Sequence, residues 1–435
     1  MIETDVLVVG GGFAGFWAAL AARAVARARG HDALRVALVS REPVLQLRPR
    51  LYEARPEALA VPLPPLLQRA GVVFHEGEVT GLDAGARAVT LADGRRLAGR
   101  SLVVTTGSRM RRPRFEGAGH AHSIDTQAEA VAFDRRLAEI ARAEAEPRLV
   151  VVGAGFTGIE LALELRDRLA LHGGPALGER ARIALVDASA APGARIGAAA
   201  WAVVAEALAQ ARVELHLGAR VGGLHEGMLT LDDGTHRPAH AVVLATGMEA
   251  APVAQWVPGA HDALGRLRVD AFLRAGGCGD GTGAAEGGLW AAGDAAVADD
   301  GSGHDTVASC QHALQSGRAA GANAARALLG EPLVPFRARP YVTCLDLGRY
   351  GALFTHGHAR EVVRQGPAAK STKQHINRVV IHPPQEAPAE ELLALALPSS
   401  GAAALAARQP LETVAAPPPQ QAAGKDAALA AAAPR

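Results

Sequence analysis

Short apolar runs closed by glycine recur along the chain and set its predicted elements. Val6 to Val9 is apolar on both faces and lies between Asp5 and Gly10, which predicts a strand buried in a parallel sheet. Glycines follow at 10, 11, 12 and 15, and Phe16 to Ala28 carries a helical pattern. Leu34 to Ser40 predicts the next parallel strand. From Val72 the runs shorten to Val72–Phe74, Glu78–Leu82 and Ala88–Leu91, with Asp93-Gly94 as a hairpin signal. Leu102 to Thr105 predicts a buried strand ending in Thr105-Thr106-Gly107.

After a Pro-, Gly- and His-rich stretch at 111–126 and a helix predicted over 127–144, the same order returns. Leu149 to Val152 is a strand, Gly153-Ala154-Gly155-Phe156-Thr157-Gly158 a turn, Ile159 to Leu171 a helix, and Arg182 to Val186 a strand closed by Asp187. The 29 positions from Gly158 to Asp187 exceed the usual spacing, and a loop at Gly173-Gly174-Pro175 is expected to absorb them. Val213–Leu217, Met228–Leu231, Asp233-Gly234 and Ala241–Leu244, ending in Thr246-Gly247, repeat the elements of residues 72–107. Two copies of about a hundred residues each are far harder to obtain by chance than one glycine motif.

The glycine spacing carries chemistry. In Gly10-x-Gly12-x-x-Gly15 the first glycine permits a tight turn, the second lets a pyrophosphate approach the backbone, and the third lets helix and strand pack closely. The free N–H groups and positive dipole end of the helix then hold phosphate oxygens. Where such folds place an acid to bind a ribose, the first copy has Ser40 followed by Arg41 and the second has Asp187. Asp187 favours NADH over NADPH, because a carboxylate repels a 2′-phosphate; Arg195, nearby in sequence, weakens that preference.

Beyond the second copy, Leu289 to Asp294 is a short strand ending in Gly293-Asp294, and a helix is predicted from Ser309 to Leu329. Strands over 341–354 and a basic helix over 368–378 follow, and after Pro383 Ala, Pro and Gln dominate. That tail is expected to be disordered except for a helical turn at 390–397. The formal charge of +1 gives no pull towards nucleic acid, and none is expected as a partner. Lys370, Lys373 and Lys425 are the only lysines. Cys278, Cys310 and Cys344 have no zinc-ligand spacing, and a reducing cytoplasm fits them. No apolar run approaches the ~20 residues of a membrane span, so the expected location is cytoplasmic or peripheral on the inner face of the membrane.

With two glycine turns, two Thr-Gly strand ends and a late Gly-Asp in this order, the chain resembles the two-dinucleotide-binding flavoprotein family of pyridine-nucleotide oxidoreductases, from residue 2 to about 330 and more weakly to about 382. The resemblance implies an α/β fold with two Rossmann-like domains and a small C-terminal α+β region. FAD binding falls to 1–112 and 251–330, NADH binding to 113–250, the acceptor region to 331–385, and the tail to 386–435. It implies FAD contacts at Gly10, Gly12, Phe13, Ala14, Gly15, Ser40, Arg41, Arg48, Val79, Thr106, Gly107, Gly293, Asp294 and Gln311, with Asp294 on the ribityl chain. Gly153, Gly155, Gly158, Asp187 and Gly247 fall to the nicotinamide dinucleotide.

Within that family, type II NADH:quinone dehydrogenases are most similar. They carry a glutamate after the second turn, here Glu160, and an Ala-Gln-x-x-x-Gln-Gln pattern, here matched by Gln311 and Gln315 with Ser316 in the last place. Arg48-Pro49 also resembles the stretch beside the flavin in ferredoxin reductases, which place a lysine where this chain has Glu53. The Cys-x4-Cys of disulfide reductases is absent, and Cys310 with Cys344 is the nearest approach to a redox pair. The implied activity is hydride transfer from NADH to FAD and onward to a quinone, with Glu160, Gln315 and His312 catalytic and His312 the proton donor. Two alternatives stand beside it: an NAD(P)H-dependent flavoenzyme with another small-molecule or redox-protein acceptor, and a flavin-binding sensor with little turnover. Peripheral membrane contact and a homodimer are left open. His120/His122 and His356/His358 have a spacing that could hold a metal, but no Cys, Asp or Glu completes a ligand set nearby, so none is expected.

Overall fold

The computed structural model describes residues 1–192, 196–276 and 287–398; Arg195, Cys278 and most of the tail lie outside them. Strand β1 (Ile2–Val9) is buried from Val6 to Val9 and leads through the glycine turn into helix α1 (Phe13–Ala28). The helix begins three residues before the predicted start, because Gly15 lies within its first turn. Strands β2 (Val36–Ser40), β3 (Val73–Glu76), β4 (Val79–Asp83), β5 (Ala88–Leu91) and β6 (Arg96–Val104) complete the first unit. They form a sheet in the order β3-β2-β1-β6-β5-β4, parallel from β3 to β6 and antiparallel beyond.

Helix α2 (Gln127–Ala143) starts at a capping box. The Thr126 hydroxyl accepts from the Glu129 N–H at 3.2 Å, and the Glu129 carboxylate accepts from the Thr126 N–H at 3.1 Å. The second unit then runs through β7 (Arg148–Val152), α3 (Phe156–Gly173), β8 (Arg182–Asp187), β9 (Val213–Leu217) and β10 (Ala241–Leu244). Its sheet is parallel, with His122–Ser123, from the stretch expected to be a linker, added at the edge beside β10. The extra residues before Asp187 do not form a loop; Pro175–Arg180 is a short helix packed under α3.

Strand β11 (Leu289–Ala291) returns to the first sheet and pairs with β6, so residues on both sides of the second unit build one sheet. Helix α4 (Cys310–Leu328), N-capped by Ser309, then lies along α1. A Cβ on Gly317 would stand 2.3 Å from the Ala14 carbonyl oxygen, and one on Gly321 2.0 Å from that of Ala18, so only glycine permits this approach.

The C-terminal region is an antiparallel sheet of β12 (Val342–Asp346), β13 (Ala352–His356) and β14 (Glu361–Gly366), followed by α5 (Pro367–His375). Strand β14 has no counterpart among the predicted elements. Where a helical turn was expected at 390–397, α6 (Ala389–Ala396) is a helix of eight residues that buries Leu392, Leu393 and Leu395 beside α1. Among the described residues no helix is long and apolar enough to cross a membrane.

Candidate functional site

A cavity of about 2360 Å³ separates the two units and is walled by both glycine turns, α4 and the C-terminal sheet. The turns match atom for atom. Gly10 and Gly153 have φ of +112° and +113°, and a Cβ there would stand 2.4 Å and 2.2 Å from the carbonyl oxygens of Thr105 and Ala245. A Cβ on Gly15 or Gly158 would fall 1.8 Å from the oxygen of Gly10 or Gly153. Gly12 and Gly155 face the cavity, and a Cβ on either would meet nothing within 4 Å. That space, at the positive end of a helix, fits a dinucleotide pyrophosphate at each turn.

The ends of the second strands differ. Asp187 lines the cavity and is buried; its carboxylate accepts from the N–H groups of Ala154 at 2.6 Å and Ser189 at 2.7 Å. Ser40 leans over Gly11, where a Cβ would stand 2.7 Å from both the Ser40 Oγ and the Leu63 side chain. Neither Ser40, Arg41 nor Val79 lines the cavity. Arg41 is exposed, 3.7 Å from Glu42, and Val79 packs against the apolar layer under the first sheet.

Asp294 lines the cavity and accepts from the Ser108 hydroxyl at 2.7 Å. Arg48 holds the same corner, donating to the Ser108 carbonyl at 3.0 Å and to the Asp125 carboxylate. Ser316, where a glutamine was expected, is buried; its hydroxyl accepts from the Gly293 N–H at 3.0 Å and donates to the His312 carbonyl at 2.7 Å. The serine thus braces the Gly-Asp turn from inside. Gly107 and Gly247 have φ of +70° and +90° and line the cavity, whereas the buried Thr106 hydroxyl has no hydrogen-bond partner among the described residues.

Glu160 is the fifth residue of α3, lines the cavity and is 6 % exposed. Its Oε1 lies 3.0 Å from the Lys373 Nζ and accepts from the Asp346 N–H at 2.9 Å. Burial raises its pKa to about 6, outweighing the Lys373 charge. One helical turn on, Glu164 is raised to about 7 by burial and by Asp346, with Lys370 3.6 Å away in opposition. Lys370 also pairs with Asp346, whose other oxygen accepts from the Tyr52 hydroxyl at 3.2 Å. The Lys373 pKa is raised: burial works against its charge, but Glu160 prevails. Sequence reasoning missed Lys370, Lys373, Asp346, Glu164 and Tyr52. The signal was their rarity, since both lysines come from the only pair before the tail.

On the acceptor side, Gln311 and Gln315 line the cavity and hold its edge. The Gln311 side chain donates to the Pro340 carbonyl at 3.0 Å and accepts from the Val342 N–H at 3.2 Å, and the Gln315 Oε1 accepts from the Arg339 N–H at 2.7 Å. His312 does not join them. Buried and off the cavity wall, its Nδ1 accepts from the Val307 N–H at 2.8 Å, and its ring lies 5.3 Å from that of Tyr341. Burial lowers its pKa, and its place off the cavity wall does not support the donor role expected of it. Cys310 and Cys344 are free thiols on the cavity wall, both kept protonated by burial, which does not suit a nucleophilic pair.

The expectation that no acid completes a ligand set near the His356/His358 pair fails in space: the His358 Nε2 lies 2.7 Å from the Asp300 carboxylate.

Residues 4–317 match the pyridine nucleotide-disulphide oxidoreductase family. An NADH dehydrogenase-like protein of Mycobacterium tuberculosis is 39 % identical over 406 residues, covering 91 % of this chain and 98 % of its own. The demethylphylloquinone reductase NdbB of Synechocystis is 27 % identical over 378 residues, covering 84 % and 89 %. Among solved structures, the sulfide:quinone oxidoreductase of Aquifex aeolicus has the same fold, with a TM-score of 0.68 at 18 % identity over 87 % of this chain and 90 % of that one.

Proposed function

The chain belongs to the pyridine nucleotide-disulphide oxidoreductase family, and on that premise we propose that it oxidises NADH and reduces a quinone-type acceptor. It is an FAD-dependent NAD(P)H oxidoreductase. Bound FAD supplies a two-electron carrier between the nicotinamide and the acceptor. We assign FAD to the turn at Gly12 and to Asp294, and NADH to the turn at Gly155. The Asp187 carboxylate beside the latter supports a ribose diol and disfavours a 2′-phosphate.

The observation that carries the quinone reading is Glu160. It is a buried carboxyl on the cavity wall, raised to about 6 and paired with Lys373. Reduction of a quinone takes up two protons with two electrons, and a group poised near neutral pH at a dry site can hold one of them. Lys373 supplies the opposing charge that keeps the site balanced after Glu160 has lost its proton. Phe336, Ile376, Val380 and Ile381 give the same cavity an apolar wall suited to a ring and its tail. The name of the Synechocystis relative, a demethylphylloquinone reductase, agrees.

The test is a two-step one. The protein is reduced anaerobically with NADH and then mixed with menaquinone or ubiquinone analogues while flavin absorbance is followed. Fast flavin reduction followed by saturable reoxidation is expected. Fast reduction without quinone-dependent reoxidation would move the acceptor to another small molecule or a redox protein, and slow reduction by NADH would point to a sensor.

A further inference from the structure

Asp300, His304 and His358 meet outside the cavity, joining the loop after β11 to the turn between β13 and β14. Their candidate ligand atoms all lie within 4.8 Å of one another. Asp300 is buried, and its Oδ1 accepts from both the N–H (2.8 Å) and the hydroxyl (2.6 Å) of Ser302, leaving Oδ2 to face the His358 Nε2. The loop is held in shape: the Asp300 N–H donates to the His304 carbonyl at 2.8 Å, and the Asp300 carbonyl accepts from the Ala338 N–H at 2.8 Å. The His304 ring stacks on that of His358 with centroids 4.1 Å apart and planes 6° from parallel.

The His304 Nδ1 lies 3.1 Å from the Ser302 hydroxyl, so the same serine that holds the buried carboxylate also touches the second imidazole, and Asp300, His304 and His358 stand as one cluster of three candidate ligands. We propose that Asp300, His304 and His358 form a binding site for a divalent late transition-metal ion of the Zn²⁺ type. Two imidazoles and one carboxylate are a ligand set such ions accept, with water completing the shell. Ligand bonds of about 2.1 Å place tetrahedral ligand atoms about 3.4 Å apart, so the cluster must close somewhat from its present spread. The exposed His304 side chain can close that distance by rotation about its own bonds, with the loop backbone held as it is. A bound ion would clamp the first unit to the C-terminal sheet, whose Arg360 and Thr343 form part of the cavity wall.

The site is independent of the quinone reading, and its test needs no turnover. Tag-free, FAD-loaded protein is dialysed to equilibrium against micromolar Zn²⁺ in excess Mg²⁺, and protein-bound zinc is measured. One equivalent is expected. His304→Ala, His358→Ala and Asp300→Asn should each weaken binding by at least about thirtyfold, whereas His356→Ala, on the same hairpin, should not. Zn²⁺ should also raise the unfolding temperature of the wild type and not that of His304→Ala, whose exposed position makes misfolding a poor explanation. Zinc bound equally by wild type and the His304→Ala/His358→Ala double variant, or lost equally in His356→Ala, would overturn the proposal and leave Asp300 and His358 as an ion pair.

Discussion

The helices that start at the two glycine turns, α1 and α3, have matching turns and opposite neighbours. At the second and sixth positions after the third glycine, α1 carries Trp17 and Ala21 where α3 carries Glu160 and Glu164. Trp17 lies under the Arg318 guanidinium of α4, 3.8 Å from the ring centroid, and Ala14 and Ala18 let the backbone of α4 come so near that Gly317 and Gly321 have no room for a Cβ. The face of α3 meets α5 through charges, a buried one at Lys373 and a half-buried one at Lys370. Close apolar packing fixes a helix in place, because every contact is lost together if it shifts. A buried ion pair adds little net stability, since desolvation offsets the attraction, but it leaves groups whose protonation can change. On the proposed function, one copy of the unit supports rigidity and the other supplies groups that can exchange a proton.

The harshest way to break this contrast is Gly317→Ala. Its new methyl would press on the backbone of α1, not on a movable side chain, so a loss of about 3 kcal/mol or more is expected, seen as a lower unfolding temperature and loss of bound flavin. A variant as stable as wild type would show that the α1–α4 contact is not rigid. Glu160→Gln probes the other copy. Quinone-dependent reoxidation should slow by about tenfold or more while flavin reduction by NADH stays within about twofold; equal slowing of both steps would remove the proton role.

The pH dependence sharpens the same point. With folded-state values of about 6 and 7, above those of an unfolded chain, Glu160 and Glu164 bind protons more tightly in the native protein. Stability from them is fully present at acid pH and falls as pH rises from about 4.5 through 7. Denaturant titrations across that window should show the fall in wild type and a flatter profile in Glu164→Gln. The reoxidation rate should fall over the same range, and a rate that rose instead would assign the proton to another group.

Asp187→Ser gives the second unit the strand end of the first. NADH KM should rise about tenfold, equal to ~1.4 kcal/mol, with discrimination against NADPH reduced and FAD retention unchanged. The smallest effect is expected of Ser40→Ala, at most about fivefold in FAD dissociation, the scale of one neutral hydrogen bond. A larger loss would make Ser40 a principal ribose contact despite its position off the cavity wall.

Much of this was legible in the chain. The glycines at 10, 12 and 15, and again at 153, 155 and 158, announced both turns, and the apolar runs beside them announced the strands. Other parts gave no such sign. Strand β14 alternates between exposed and half-buried residues, and α6, expected as no more than a helical turn, becomes a packed helix where α1 offers its leucines a surface. Ser316 looked like a defect in a pattern and proved to be a brace for Gly293. His312 looked well placed by its neighbours in sequence, yet the helix turns its ring away from the cavity.

The sequence by itself determined the two strand-turn-helix units, because a glycine's φ, a four-residue apolar run and a capping box act among residues close along the chain. Only the tertiary structure decided the chemistry. Glu160 and Lys373 become partners, and Asp300 comes to face His358, through the packing of elements far apart in sequence. Whether such a carboxyl holds a proton near neutral pH depends on the water that packing removes and the charges it brings near.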